Sequence, residues 1–152
     1  PIPRHRVVLE SFAAMALLTA LLAAAVWTTL LLANPIVDIG LSFSGITAAS
    51  VGMILLALSF GTLALMIGAL TGKRSLTIGI ASGATIATVF INGLAPLVDS
   101  IEWTQQLTPF YWLLGHNPLA NGVRWQLLVL VASIVVFLAI AVWGVRRRDV
   151  TV

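Results

Sequence analysis

Apolar residues run almost unbroken through four stretches, residues 7–33, 41–70, 76–98 and 125–145. Each meets the roughly 20 residues that a helix needs to cross a hydrocarbon core about 30 Å thick. The pattern predicts four transmembrane helices. The first stretch would extend about 40 Å as a straight helix, so it must tilt or protrude. Asn34-Pro35 predicts its end, because proline cannot donate to the helical ladder and restricts the residue before it. The short connection 34–40 then makes spans one and two a tight antiparallel pair.

Span two carries Gly45, Gly52, Gly61 and Gly68 with Ala and Ser between them. Small residues let lipid-embedded helices approach closely. Gly68/Gly72 and Gly79/Gly83 are spaced four apart and are expected to pack within the bundle. Span three is the most polar. Ser82, Thr85 and Asn92 share roughly one helical face, with Thr88 beside it. Intramembrane hydroxyls can bond back to their own backbone. A primary amide facing lipid is costly, so Asn92 is expected to face the bundle or a wet cavity. Helix–helix bonding and lining of a pathway both remain open for it.

Residues 99–122 do not form a span. They combine Trp103, Phe110, Tyr111 and Trp112 with Glu102, Gln105, Gln106, His116 and Asn117. Trp103, Leu107, Phe110/Tyr111 and Leu114 recur at helical spacing, and Pro109 splits the stretch into two short helices. Aromatic residues favour the headgroup level, so this segment is expected to be an interfacial or re-entrant cap on the outer face. Pro118, Asn121 and Gly122 turn the chain into span four.

Charge orients these elements. Seven of the eight Lys/Arg residues cluster at alternate ends of the spans: Arg4 and Arg6, Lys73 and Arg74, and Arg146, Arg147 and Arg148. The opposite loops hold Asp38, Asp99, Glu102 and only Arg124. Basic loops stay in the cytoplasm, so both termini are expected there, in a plasma (inner) membrane. Glu10 near the start of span one is either a contact to a cytoplasmic partner or a solvated helix-end carboxylate.

Composition agrees. Hydrophobic residues make up 60% of the 152 and charged ones 9%, against about 25% charged in a soluble domain. The expected fold is all-α: a polytopic membrane protein, residues 1–152 forming one transmembrane domain. The positive clusters lie at helix ends without a basic face or aromatic platform, which excludes nucleic acid as a partner. Cysteine is absent, so disulfides and thiolate metal sites are excluded. Residue 1 is Pro rather than Met, which points to a processed or partial chain.

No catalytic constellation emerges. The stretch from Gly68 to Arg74 imitates a phosphate-binding loop, but it has three residues between its glycines rather than four, and Arg rather than Ser or Thr after the lysine. His5 and His116 fall on opposite membrane sides and cannot share a metal. No acidic pair or buried charge pair lies within the spans, against an intramembrane hydrolase or proton-coupled transport.

The stretch Thr108-Pro109-Phe110-Tyr111-Trp112-Leu113-Leu114-Gly115-His116-Asn117-Pro118-Leu119-Ala120-Asn121-Gly122, one further apolar span and Arg146-Arg147-Arg148-Asp149-Val150 resemble the C-terminal part of ABC type-2 exporter permeases. In that family a Pro-aromatic stretch and a "Pro-Leu-x-Asn-Gly" element commonly precede the last helix, and a basic tail ends the subunit. The resemblance covers residues 99–150, and the rest only by topology. It implies the last four of six helices, a second permease half or a homodimer mate, and two ATPase subunits that bind ATP and Mg. No cofactor is expected on this chain. The loop that docks the ATPase in the family corresponds here only to residues 1–6, so Arg4, Arg6 and Glu10, with Lys73 and Arg74 of the 71–75 turn, are the candidate ATPase contacts.

On this reading Thr85, Thr88 and Asn92 line a substrate path, and Trp103, Phe110, Tyr111 and Trp112 form an outer gate. The uncharged path implies an amphipathic or hydrophobic substrate. Two other readings stand beside it: a non-transporting structural or assembly subunit, and a lipid-modifying membrane enzyme, which the missing catalytic residues disfavour.

Overall fold

The computed structural model describes residues 4–37, 40–97, 99–115 and 125–147. Helix α1 spans Arg4–Val37, α2 Phe43–Thr71 and α3 Arg74–Leu94. Two 3-10 segments, Ala95–Leu97 and Asp99–Leu107, lead to the short helix α4, Pro109–Leu114. Helix α5 spans Gln126–Arg147. No strand occurs among the described residues. Four helical stretches are long and apolar enough to cross a membrane: Arg6–Ile36, Phe43–Thr71, Arg74–Leu97 and Gln126–Val145.

The expected break at Asn34-Pro35 does not occur. Helix α1 continues through Pro35 to Val37. A proline this close to a C-terminus removes a helical bond in the last turns only, where carbonyls are already losing partners. The chain turns later, and Asn34 closes the turn. Its Nδ2 donates to the Leu41 carbonyl at 2.9 Å, and its Oδ1 accepts from the Leu41 N–H at 3.0 Å. Asn34→Leu removes both bonds and should cost about 1–3 kcal/mol. Thermal unfolding in detergent checks this; an unchanged midpoint would show that the clamp contributes nothing.

Local chemistry sets the next two ends. Ser42 caps α2, its hydroxyl accepting from the Gly45 N–H. Gly72 ends α2 at φ 64, a left-handed conformation that glycine adopts without steric penalty, and its N–H bonds the Gly68 carbonyl at 2.9 Å. Gly68 through Thr71 are therefore helical, not a phosphate loop.

Helix α2 is the hub. It packs most extensively on α5, and also against α1, α3 and α4. Against α1, Trp27 Nε1 donates to Thr47 Oγ1 at 3.1 Å, and Met15 covers Gly61. Against α5, Gly52 lies beside Leu127, Ser59 beside Ser133, and Leu70 beside Gly144. Gly68 lies beside Thr77 of α3. These pairs make α1 and α3 run opposite to α2 and α5. Arg4, Thr71, Arg74 and Arg147 thus share one end of the bundle.

The interior is built from small side chains. Ala48, Ala49, Ser50, Ser59, Thr62 and Ala141 are buried, while Leu17, Leu18, Leu21 and Leu22 of α1 are 59–71% exposed. Each buried hydroxyl on α2 bonds a carbonyl one turn back, such as Thr62 Oγ1 to Leu58 at 2.8 Å. The bundle is apolar outside and small inside, a distribution suited to a lipid solvent. Trp125 and Trp143, both more than half exposed, mark the two ends of α5 eighteen residues apart. That spacing is about 27 Å along a helix.

Helix α3 departs from expectation. None of its residues is buried. A Cβ added at Gly79 or Gly83 would meet nothing within 4 Å among the described residues, so this pair does not pack on the described helices. Nor is Gly72 a packing residue; it is the α2 cap. Close approach occurs instead at Gly52, Gly61 and Gly144. Packing follows the helix that every neighbour touches, and the spacing of glycines does not identify it.

Candidate functional site: a hydroxyl-lined cavity beneath α4

A cavity of about 290 Å³ opens between α2, α3 and α5. Ser59, Phe60 and Leu63 of α2, Ala84 and Thr88 of α3, and Val129, Leu130, Ser133 and Phe137 of α5 form its walls. Leu107, Pro109 and Trp112 close it from the α4 side.

Helix α4 reaches far along α2. Phe110 packs on Phe60 with ring centroids 5.6 Å apart, and Leu113 presses on Gly52. Phe60 stands about 25 Å along α2 from its start. Pro109 holds the first turn of α4, where its missing N–H costs nothing, and Thr108 caps that turn by accepting from the Tyr111 N–H. Thr108 itself is 1% exposed and donates to the Gln105 carbonyl at 2.8 Å.

Trp112 is held on several sides. Its Nε1 donates to the Gln106 carbonyl at 2.8 Å. Its ring meets Tyr111 at 5.7 Å and Trp125 at 6.2 Å, both near edge-to-face. Gln105 Nε2 donates to the Asn92 carbonyl at 3.3 Å, tying the 3-10 segment to α3.

Two hydroxyls face each other across the cavity wall. Ser59 Oγ and Ser133 Oγ are 3.2 Å apart. Ser59 Oγ also reaches the Leu55 carbonyl at 2.8 Å and Ser133 Oγ the Leu130 carbonyl at 2.7 Å. With one proton per hydroxyl, one serine donates to its own helix while the other shares its proton between its helix and its neighbour. Thr88 Oγ1 bonds the Ala84 and Thr85 carbonyls. The walls therefore offer satisfied hydroxyls and aromatic rings, with no charge. Such a lining suits a small apolar or amphipathic molecule that asks for one weak polar contact.

Of the three expected path residues, Thr88 lines the cavity. Thr85 is half-buried and bonds the Ala81 carbonyl at 2.9 Å without lining it. Asn92, one turn further along, touches the lid segment through its carbonyl. Ser82, placed with them by periodicity, is exposed. Of the expected gate residues, Trp112 lines the cavity, Phe110 backs its Phe60 wall, and Tyr111 supports Trp112. Trp103 is 63% exposed and stands apart from the cavity.

At the basic end, Arg6 Nε donates to Glu10 Oε1 at 2.9 Å, both side chains well exposed. Glu10 is thus already paired, at a site where such a pair contributes at most about 0.5 kcal/mol. Lys73 and Arg74 are exposed in the α2–α3 turn. The side chains of Arg4, His5, Asp99 and Glu102, and all of Asp38, His116 and the turn through Pro118, Asn121 and Gly122, lie outside the described residues.

Ser59, Phe60, Ser133 and Phe137 were not singled out by sequence reasoning. Ser133 carried a usable signal: it is the lone hydroxyl in the fourth span. Comparison with protein-family models, with curated proteins and with solved structures found no match to this chain.

Proposed function

We propose that the chain is the membrane-spanning permease subunit of an ATP-driven exporter, as its resemblance to type-2 exporter permeases implies. The cavity beneath α4 is the observation that carries this reading. It is uncharged, lies midway along the hub helix, and is closed on one side by a short aromatic helix. A molecule held there stands inside the hydrocarbon layer, between the faces of the membrane.

In this reading all four helices cross a plasma (inner) membrane. The end shared by Arg4, Lys73, Arg74 and Arg147 faces the cytoplasm, where basic residues accumulate. The Trp125–Trp143 spacing matches a hydrocarbon core about 30 Å thick. Segment 99–115 is then a re-entrant cap on the outer side, with Trp112 and Phe110 as its gate. ATP and Mg bind a separate subunit, which docks near Arg4, Arg6 and Glu10 and near the turn that holds Lys73 and Arg74. Hydrolysis there rocks α3 and α5 against α2, so that the cavity opens to one face and then the other. The substrate is apolar or amphipathic.

The open face of α3 favours a second reading, a structural or assembly subunit. Gly79 and Gly83 have no neighbour within 4 Å among the described residues, and such a face suits packing against another helix. The exporter reading accounts for the same face as the contact with a second permease half or a homodimer mate.

Because the chain has no cysteine, a single thiol can report on access. Ala84→Cys puts it in the cavity wall. With the ATPase partner present, labelling by an impermeant thiol reagent from the outer side should rise when vanadate traps the partner. Equal labelling with and without vanadate would favour the assembly subunit.

A further inference from the structure

A second site lies at the basic end, away from the cavity. An apolar groove of about 450 Å³ runs between α1 and α2, walled by Val7, Val8, Met15, Ala64 and Leu65. Gly68 leaves its floor beside Thr77 without a side chain, while Met15 covers Gly61. At Gly68 and Thr77 it meets a recess of about 510 Å³ framed by Gly72, Lys73 and Arg74; Gly68 and Thr77 line both. Apolar groove and basic recess thus share two lining residues and adjoin as an open depression.

Lys73 and Arg74 are exposed, and among the described residues neither is paired with a carboxylate. Glu10, on the helix that walls the groove, is held by Arg6. Helix α3 also begins here without a side-chain cap, since Lys73 stands at its N-cap and carries no acceptor. The positive end of a helix dipole and two cationic side chains favour an anion at this point. The groove leading from it is apolar and runs along stretches that are long enough to cross a membrane. One molecule fits both requirements: a phospholipid with a negative headgroup.

We propose that this depression binds an anionic phospholipid, its phosphate against Lys73 and Arg74 and an acyl chain along the α1–α2 groove. Basic pockets at the cytoplasmic ends of helices recognise such headgroups. The inference rests on the membrane placement proposed above and not on export, so it can fail while export stands.

Native mass spectrometry of the detergent-purified chain tests it, with dioleoylphosphatidylglycerol titrated against dioleoylphosphatidylcholine. The two lipids share their chains and differ in charge. One phosphatidylglycerol is expected to be retained in preference. Lys73→Gln with Arg74→Gln should weaken it about 25-fold, about fivefold for each basic side chain. Gly68→Leu fills the junction of groove and recess and should weaken both lipids. A Cβ there sits 3.5 Å from Thr77 Oγ1, an ordinary contact, so the backbone leaves room for the first carbon of the new side chain. If circular dichroism shows lost helicity in Gly68→Leu, the double variant decides alone, since its side chains are exposed. Equal retention of the two lipids, or undiminished phosphatidylglycerol binding in the double variant, overturns the proposal. So does a dimer of the chain that Gly68→Leu abolishes, which would make the groove a seat for a second copy.

Discussion

Ser133→Leu is expected to cut export at least about tenfold while leaving the chain folded, a loss equivalent to about 1.4 kcal/mol of substrate stabilisation. Ser133 lines the cavity, so the added branched side chain occupies the space that a substrate would need. The fold should tolerate the change because no buried polar group is orphaned. Ser59 keeps its bond to the Leu55 carbonyl at 2.8 Å when its second hydroxyl partner is lost. Removing one neutral hydrogen bond costs about 1 kcal/mol, which the buried leucine partly offsets. Ser133→Ala separates volume from hydrogen bonding. It deletes the hydroxyl but leaves the space, and should keep most of the transport. Transport in proteoliposomes with the partner ATPase, beside a thermal melt, reads both quantities. Full transport by a folded Ser133→Leu would mean that the cavity is not on the path.

The largest structural effect is expected at Gly52. A Cβ there would run into Leu113 Cδ1 of α4 and lie 3.6 Å from Leu127 Cδ2 of α5. Leu113 is only 4% exposed, so it has little room to swing aside. Gly52→Leu should therefore wedge α4 and the start of α5 away from α2. Overpacking of this kind costs about 1–3 kcal/mol, and this site belongs at the upper end. Gly52→Ala should be milder, because the atom in its way is the tip of a side chain. Gly83→Leu is the contrast. It has the same change in volume but nothing within 4 Å, and should leave the melting temperature of the isolated chain unchanged. Trp112 and Trp125 stand beside the junction, so tryptophan fluorescence during unfolding follows α4 directly. Equal destabilisation by Gly52→Leu and Gly83→Leu would show that α4 does not rest on α2.

The four long helices were legible because span length depends on local composition alone. A run of about 20 apolar residues needs no knowledge of its neighbours. The end of α1 was not legible in Pro35, which does not stop the helix; Asn34 and Leu41 place the turn by a contact across the connection. The break at Pro109 was legible because proline inside an apolar stripe splits the stretch into two short pieces, and the second is α4.

The cavity was only half legible. Thr88 stood out because α3 concentrates its polar residues, and Trp112 because aromatic residues cluster before span four. Ser59, Phe60 and Phe137 sit in helices that are apolar all round, where periodicity cannot say which face turns inward. Their meeting depends on how α2 and α5 pack, and that is set by Gly52, Ser59 and Gly144 together. The Gly79/Gly83 pair misled for the same reason: the spacing marks a face able to pack closely but not whether a partner lies within the chain.

The most direct test of ATP-driven export is a pull-down of this chain from its native membrane in detergent, followed by an ATPase assay of what accompanies it. ATP-driven export requires a co-purifying nucleotide-binding subunit whose hydrolysis is inhibited by vanadate. A stable preparation of the chain that retains bound membrane proteins but no ATPase would contradict it, and would leave the bundle as an assembly subunit.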